Sequence, residues 1–447
     1  MRRMARLALV VALLTPIAAL AAEPMPPPAP AVPAAAQAPP PGGTFDPVAA
    51  TEAWLATLPP DARARSDAYF EGGYWLQLWG FLYGLGVAWV LLGSGLSVRL
   101  RNLAERVTRF RFIHGLVYGA GYIVATAVLA FPLTLYEGYF REHKYGLSNL
   151  TLGGWFVEEG KGLLLGIVLG SIAIAALAAF LRAAPRTWWI WGTAFSIAFL
   201  IVVVIVAPIW IEPIFNTQTE LKNPAVRDPI LSLARSNGIP ARNVYVEDLS
   251  KQTKRVSAHV TGFAGTMRIE LSDNLLRRTS LGGIEAVLGH EMGHYVLDHI
   301  YKSVMSFGII LFLGFAFVRW GFAAALRRWG GRWGLAGIAD LAALPLLLAV
   351  FSVFFFVLTP VVNTVIRTDE AEADIFGLNT SRQPDGMAEA ALQLGEYRKL
   401  HPGPVEEFVF FDHPSGYHRI LMAMRWKGEH LAEFRSAAPS PPGSAAP

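Results

Sequence analysis

Long apolar runs alternate with short polar segments along most of the chain. Six of these runs approach the roughly 20 apolar residues that a helix needs to cross a bilayer. They lie at 74–97, 113–136, 162–181, 188–211, 303–323 and 339–362. Tryptophan and tyrosine cluster at several of their ends, as side chains at the interface between lipid and water do. The pattern predicts a mainly α-helical, polytopic membrane protein, in which the fifth run is weakened by Arg319 and Trp320.

The two ends of the chain have a different composition. Residues 1–22 combine three arginines with an apolar run and the small-residue site Ala19-Leu20-Ala21, which is typical of a cleaved signal peptide. An uncleaved anchor is the alternative. The Pro/Ala-rich segment 23–60 is predicted to be a disordered spacer, and 437–447 a disordered tail.

Two more polar segments separate the apolar runs. The first begins with an amphipathic helical pattern and continues with the strand-like runs NVYVED (243–248) and TMRIEL (266–271), which predict a small sheet. The second is predicted to be mainly helical. The predicted domains are therefore a four-helix transmembrane region (61–211), a mixed α+β segment (212–302), a transmembrane hairpin (303–362) and a C-terminal segment (363–436).

Composition narrows the class of protein and of site. Hydrophobic residues make up 53% and charged residues 16% of the 447 residues, and the mean hydropathy is +0.39, all of which favour a membrane protein. The formal net charge is only +4, and the arginines lie in short loops, so nucleic acid is not an expected partner. Because the chain has no cysteine, any metal site must use histidine and carboxylate ligands.

The run IEAVLGHEMGHYVLDHI, at 284–300, is predicted to be one helix. His290 and His294 stand four residues apart, so both imidazoles lie on one face and can direct a nitrogen at one ion. Catalytic Zn²⁺ uses three protein ligands and leaves a position for water. Glu291 falls beside that position, where a carboxylate acts as a general base. The alternative is two solvated histidines on a helix face.

A third ligand is expected from the helical run TVIRTDEAEADIFG, at 364–377. Glu370 and Asp374 share a face, while Glu372 points elsewhere. One carboxylate binding the metal and the other bracing a histidine would explain the pair, although an acidic helix start favoured by the macrodipole is the alternative. Two apolar runs separate the motifs, so a hairpin returns the chain to the same side of the membrane.

These motifs resemble the type 1 CAAX prenyl protease family of integral-membrane zinc endopeptidases. The likeness covers about 74–425 and includes 131–156, 207–216, 285–299, 370–377 and 412–420. It implies a gluzincin-like enzyme with one zinc ion per chain, inside a helical cage around an intramembrane chamber. It also implies that the zinc ligands are His290, His294 and Glu370. Glu291 would be the general base and Asp374 the orienting carboxylate, while His413 and Arg419 would lie near the scissile carbonyl.

Two positions depart from the family pattern. Val256-Ser257-Ala258-His259 stand before Thr261-Gly262-Phe263, where the family usually has Ser-Asn-Ala-Tyr, and Ser415 follows His413-Pro414 in place of a second proline. The substrate is expected to be a peptide bound as an extended strand, which main-chain groups alone can pair. A contact from the missing asparagine side chain is lost, so the substrate preference is expected to differ.

Arginines in the loops 98–112 and 182–187, and after the fifth run, lie on one predicted face, and the metal motifs lie on the other. The expected location is the cell inner membrane, with a periplasmic or otherwise extracytoplasmic catalytic face. Substrates would be prenylated C-terminal peptides or misfolded envelope and membrane proteins. The competing functions are a quality-control metalloprotease of the heat-shock type and a non-catalytic membrane scaffold; Glu291 argues against the scaffold.

Overall fold

The apolar runs form long helices in the computed structural model, which describes residues 31–40, 42–262 and 267–436. The predicted signal peptide (1–22) and tail (437–447) lie outside these residues. Within them, five helices are long and apolar enough to cross a membrane, and Trp188–Val203 is a shorter apolar helix. The five are Pro60–Gly93, Arg111–Lys144, Leu152–Ala183, His299–Trp333 and Leu341–Ser381. The predicted polytopic, mainly helical architecture is confirmed.

The N-terminal region contains α1 to α9 in chain order. Their bounds are Pro47–Leu55, Pro60–Gly93, Leu96–Val107, Arg111–Leu135, Arg141–Lys144, Leu152–Leu165, Ser171–Ala183, Trp188–Val206 and Glu212–Phe215. Single π-helical turns at Tyr136–Phe140, Gly166–Gly170 and Ala207–Ile211 join α4 to α5, α6 to α7 and α8 to α9. Large apolar side chains stay exposed on these helices, among them Trp89 and Val128. Such an apolar surface fits a lipid environment better than water.

The C-terminal region contains α10 to α18. Their bounds are Pro224–Ser236, Asp273–Arg278, Leu281–Val296, His299–Trp333, Leu344–Ser381, Pro384–Leu394, Pro404–Phe410, Gly416–Glu429 and Leu431–Ser436. The amphipathic pattern predicts α10, which begins at the N-cap Asn223 and ends before Asn237 and Gly238. The fifth apolar run is not shortened by Arg319, since α13 continues to Trp333.

A small mixed sheet packs beside α10 and α12. Its strands are β1 (Gln218–Glu220), β2 (Val244–Glu247), β3 (Ala258–Thr261) and β4 (Arg268–Ser272). Among the described residues the strand order is β1-β2-β4-β3, with β2 and β4 parallel and the other pairs antiparallel. The sheet packs its buried apolar residues against both helices, for example Ile230, Ile269 and Leu288. In this strand order β3 is an edge strand, and it lies next to α12, which carries the histidine motif.

The segment predicted as a disordered spacer (23–60) differs from that prediction from residue 34 onwards, where Ala34–Ala36 form a 3-10 turn and Ala36 is buried. The Asp46 side chain accepts hydrogen bonds from the first turn of α1, and Pro47 occupies its first position. Trp54 is buried in one cluster with Met424 of α17. Burial of a whole indole ring offsets the entropy of ordering a short helix, so α1 packs against the C-terminal region.

The histidine motif is not the single helix predicted for 284–300. α12 ends at Val296, and α13 begins at His299. Asp298 between them has φ 57°, in the left-handed region. Aspartate tolerates this conformation better than most residues, and it turns the chain sharply at the end of the motif.

Candidate metal centre

Glycines bring the two motif helices, α12 and α14, close together. A Cβ atom on Gly377 of α14 would lie 2.7 Å from the backbone nitrogen of His290, and one on Gly293 would lie 3.1 Å from Cα of Ala373. Larger residues at these positions would push the helices apart. The small side chains therefore allow the carboxylates of α14 to reach the imidazoles of α12.

Three predicted ligands converge where the helices meet. The Nε2 atoms of His290 and His294 lie 3.2 Å apart. Oε2 of Glu370 lies 3.2 Å from Nε2 of His290, and Oε1 lies 3.6 Å from Nε2 of His294. Ligands of one tetrahedral zinc ion, each about 2.0–2.2 Å from the metal, lie about 3.3–3.6 Å from one another. The three side chains therefore have the spacing of a zinc site.

Unsatisfied polar atoms support the same interpretation. Oε2 of Glu370 is buried and makes no hydrogen bond of good geometry to any residue that the structure describes. Orphaned buried polar atoms are rare in folded proteins and point to a missing ion or water. Two imidazole nitrogens and a carboxylate oxygen facing one another form a donor set that a divalent cation satisfies. The residues present therefore fit a zinc ion.

The pKa values of two residues of α12 bear on metal binding and proton transfer. Burial and the neighbouring His290 lower the pKa of His294 to about 4, which keeps this ring neutral. Burial raises the pKa of the half-buried Glu291 to about 7, and the nearby carboxylate of Glu370 adds to that shift. A carboxylate with a pKa near neutrality is well matched to taking up and giving back a proton.

His290 is held from behind by a buried ion pair. Its Nδ1 atom lies 2.7 Å from Oδ1 of Asp374. Nε of Arg419 donates to the other carboxylate oxygen of Asp374 at 2.8 Å. Asp374 is 1% exposed and Arg419 is 8% exposed. Asp374 thus has the position expected for an orienting carboxylate.

Arg419 lies behind His290. It contacts Asp374 and lies 3.5 Å from Nδ1 of His290, on the side of the ring opposite to the ligand atoms. This contact follows from the chemistry of a buried carboxylate, because Asp374 needs a permanent cation nearby to remain charged.

His413 comes closer to the ligands. It lies in the loop between α16 and α17, with Nε2 3.1 Å from Oε2 of Glu370. Its Nδ1 atom lies 2.9 Å from Oδ1 of Asp412. Burial lowers the pKa of His413. The structure therefore places an imidazole beside the third predicted ligand.

Sequence reasoning missed a second set of residues around His294. Nδ1 of His294 lies 2.9 Å from Nδ1 of His299. Nε2 of His299 lies 3.3 Å from Oε2 of Glu372. Glu372 does point away from the ligand atoms, as predicted, but it meets His299 there. The only signal in the sequence was a third histidine shortly after the motif.

Two family models match the chain. The one described as "Peptidase family M48" matches residues 220–427, and the one described as "CAAX prenyl protease N-terminal, five membrane helices" matches 51–217. The metalloprotease YhfN of Bacillus subtilis, itself described as uncharacterized, is 28% identical over 80% of this chain and 84% of its own length. A CAAX prenyl protease 1 homolog of Oryza sativa subsp. japonica is 27% identical over 76% of this chain and 79% of its own length.

A solved structure supports the fold. The crystal structure of S. mikatae Ste24p matches with a TM-score of 0.69 and 21% identity, over 84% of this chain and 93% of that one. The metal-site helices of this chain lie in the region matched by the peptidase model, and its apolar helices α2 to α8 lie in the region matched by the N-terminal model. The chain therefore belongs to the CAAX prenyl protease 1 family of multi-pass membrane metalloproteases, within peptidase family M48.

Proposed function

We propose that this protein is a zinc endopeptidase that holds one zinc ion between His290, His294 and Glu370. The observation that supports this most strongly is the spacing of the three ligand atoms, all within 4.8 Å of one another. A bound zinc ion supplies Lewis acidity, which polarises a peptide carbonyl and makes a water molecule nucleophilic near neutral pH.

The roles of the side chains follow from their positions. Glu291 takes a proton from the attacking water and later delivers it to the amine that leaves. His413 in its protonated form keeps Nδ1–H on Asp412 and donates a hydrogen bond from Nε2 to the oxyanion that develops on the scissile carbonyl. Asp374 accepts a hydrogen bond from Nδ1–H of His290, which leaves Nε2 of that ring to bind the ion. Arg419 acts as a positioning residue for Asp374.

The substrate would bind as an added strand along β3. This strand pairs with β4 on one side, and no other described strand pairs with its second side. An exposed strand edge offers main-chain groups to an extended peptide. His259 on β3 is bonded to Ser257, so the side-chain contacts available here differ from those of the usual family pattern.

The proposed substrates are membrane-associated polypeptides cut on the extracytoplasmic side. Misfolded envelope or membrane proteins are favoured over prenylated C-terminal peptides by the arginine-rich loops, which put the catalytic face outside the cytoplasm. An alkaline phosphatase fused after residue 302 is expected to be active. An inactive fusion, together with an active cytosolic reporter at the same position, would contradict this orientation.

Casein or peptide cleavage by the purified protein tests the enzyme activity. Glu291→Gln is expected to lower kcat by about 10²–10⁴ while zinc content stays unchanged, because a general base contributes that much. Glu285→Gln is the matched control: Glu285 also lies on α12 but bonds to Gln383, so this variant should cleave at the wild-type rate. Equal cleavage by wild type and Glu291→Gln would refute the proposed mechanism.

A further inference from the structure

The break between α12 and α13 places a buried histidine against a predicted zinc ligand. In an unbroken helix each residue turns about 100°, so residues five apart point about 140° away from each other. His299 would then face away from His294. The left-handed conformation of Asp298 (φ 57°) turns the chain instead. The two rings meet edge to face, with their centroids 5.0 Å apart.

The contact has a defined hydrogen-bond direction once zinc binds. The Nε2 atom of His294 faces the ligand cluster, so a metal on Nε2 leaves the proton of the neutral ring on Nδ1. That Nδ1–H donates to Nδ1 of His299, 2.9 Å away. His299 must then carry its own proton on Nε2. This proton points to Oε2 of Glu372, 3.3 Å away.

The chain of hydrogen bonds runs from the buried site towards solvent. His299 is only 4% exposed, whereas the side chains of Glu372 and Lys302 are each 44% exposed and form an ion pair. A buried imidazole with both nitrogens engaged has a single tautomer and a single orientation. His299 therefore cannot accept from His294 in any other way without losing its bond to Glu372.

We propose that His299 is a positioning residue for the metal site, which fixes the tautomer and ring orientation of His294 and is itself oriented by Glu372. This inference rests on the proposed zinc site. His299 plays for His294 the part that Asp374 plays for His290, but with a neutral acceptor in place of a carboxylate. Groups that orient metal-bound histidines typically affect metal affinity or activity by about 10- to 100-fold.

Zinc affinity of the purified full-length protein tests the role directly. His299→Phe keeps a ring of similar size but loses both nitrogens, and it is expected to weaken zinc binding by about 10- to 100-fold in competition with a chelator. His299→Asn places an amide oxygen near the position of Nδ1 and should lose clearly less affinity than His299→Phe. The visible absorption bands of the Co²⁺-substituted protein should shift in His299→Phe, because the geometry of the His294 ligand changes.

His430→Phe is the matched control. His430 also stacks on an aromatic ring, that of Trp426, and bonds to a backbone carbonyl through Nδ1, but it lies at the end of α17, away from the ligands. It should bind zinc as tightly as the wild type. A folded His299→Phe protein that also retains wild-type affinity and an unchanged Co²⁺ spectrum would overturn the proposal.

A second variant covers the case in which His299→Phe does not fold. Glu372→Gln changes a half-exposed side chain and should weaken zinc binding by less than His299→Phe, with a shifted Co²⁺ spectrum. Wild-type affinity and an unchanged spectrum in Glu372→Gln would then overturn the proposed role of the hydrogen bonds from His294 through His299 to Glu372. If the wild type itself binds no zinc, the proposed metal centre fails, and that result is distinguishable from wild-type zinc binding in the variants.

Discussion

The two histidines of the motif are braced in opposite ways. His290 is backed by Asp374 and Arg419, a charged pair that is almost fully buried. His294 is backed by His299 and then by Glu372, which reaches solvent. Breaking a buried ion pair costs roughly 3–5 kcal/mol, whereas a half-exposed pair such as the one at the solvent end of the His299 contact contributes about 0–1 kcal/mol. The His290 side is therefore expected to contribute more to the unfolding free energy than the His294 side.

A single stretch of α14 serves both sides. Glu370, Glu372 and Asp374 occupy alternate positions, and helical geometry sends Glu372 away from the face that the other two share. Glu370 reaches the ligand cluster, Asp374 reaches His290, and Glu372 reaches the histidine behind His294. Five consecutive residues thus set the position of both imidazoles as well as the third ligand.

Arg419→Leu should have the largest effect on stability. It leaves the Asp374 carboxylate buried without its cation, and breaking a buried pair costs roughly 3–5 kcal/mol. Equilibrium unfolding in mixed micelles measures the loss. Arg425→Leu, on the exposed face of the same helix, should change the unfolding free energy by less than about 0.5 kcal/mol. Equal unfolding curves for the two variants would show that the buried pair of Asp374 and Arg419 does not stabilise the fold as expected.

Removal of zinc should have an intermediate effect. A ligand that binds only the folded state at 100 times its Kd adds about 2.7 kcal/mol to the unfolding free energy, and chelation should remove that amount. Glu291→Gln should respond like the wild type, since Glu291 is not a ligand in the proposed site. An unfolding midpoint that does not depend on free zinc would contradict the metal centre.

Lys302→Met should have the smallest effect. The ion pair between Lys302 and Glu372 is half-exposed, and pairs of this kind contribute about 0–1 kcal/mol. The unfolding free energy should fall by less than about 1 kcal/mol, and the difference from wild type should shrink further in high salt. A loss as large as that of Arg419→Leu would remove the contrast between the two sides.

The two histidines could be predicted because they stand one helical turn apart. An even number of apolar runs between the motifs also predicted that an acidic residue of 370–374 lies on the same side, but only the family resemblance indicated Glu370 rather than Asp374. His299 could not be predicted in the same way. Its position depends on the backbone conformation of Asp298, and an unbroken helix would point it in the wrong direction.

Long-range packing explains the other differences. The contact of Arg419 with Asp374 was not predicted, because it depends on the need of a buried carboxylate for a cation. The Pro/Ala-rich composition of 23–60 obscured α1, although Asp46-Pro47 is a good helix start and Trp54 is a good anchor. The three polar residues of β1 carry no alternating pattern, so the strand depends on its pairing with β2.

The length of α14 has a mechanical consequence. This helix extends from Leu344 to Ser381 with Pro360 inside it, and the predicted apolar run ends at residue 362, eight residues before Glu370. At a rise of 1.5 Å per residue, the carboxylate stands about 12 Å above that end. In the proposed enzyme, α14 would therefore fix the distance between the third ligand and the end of the predicted apolar run, and only peptide bonds that reach this level are expected to be cut.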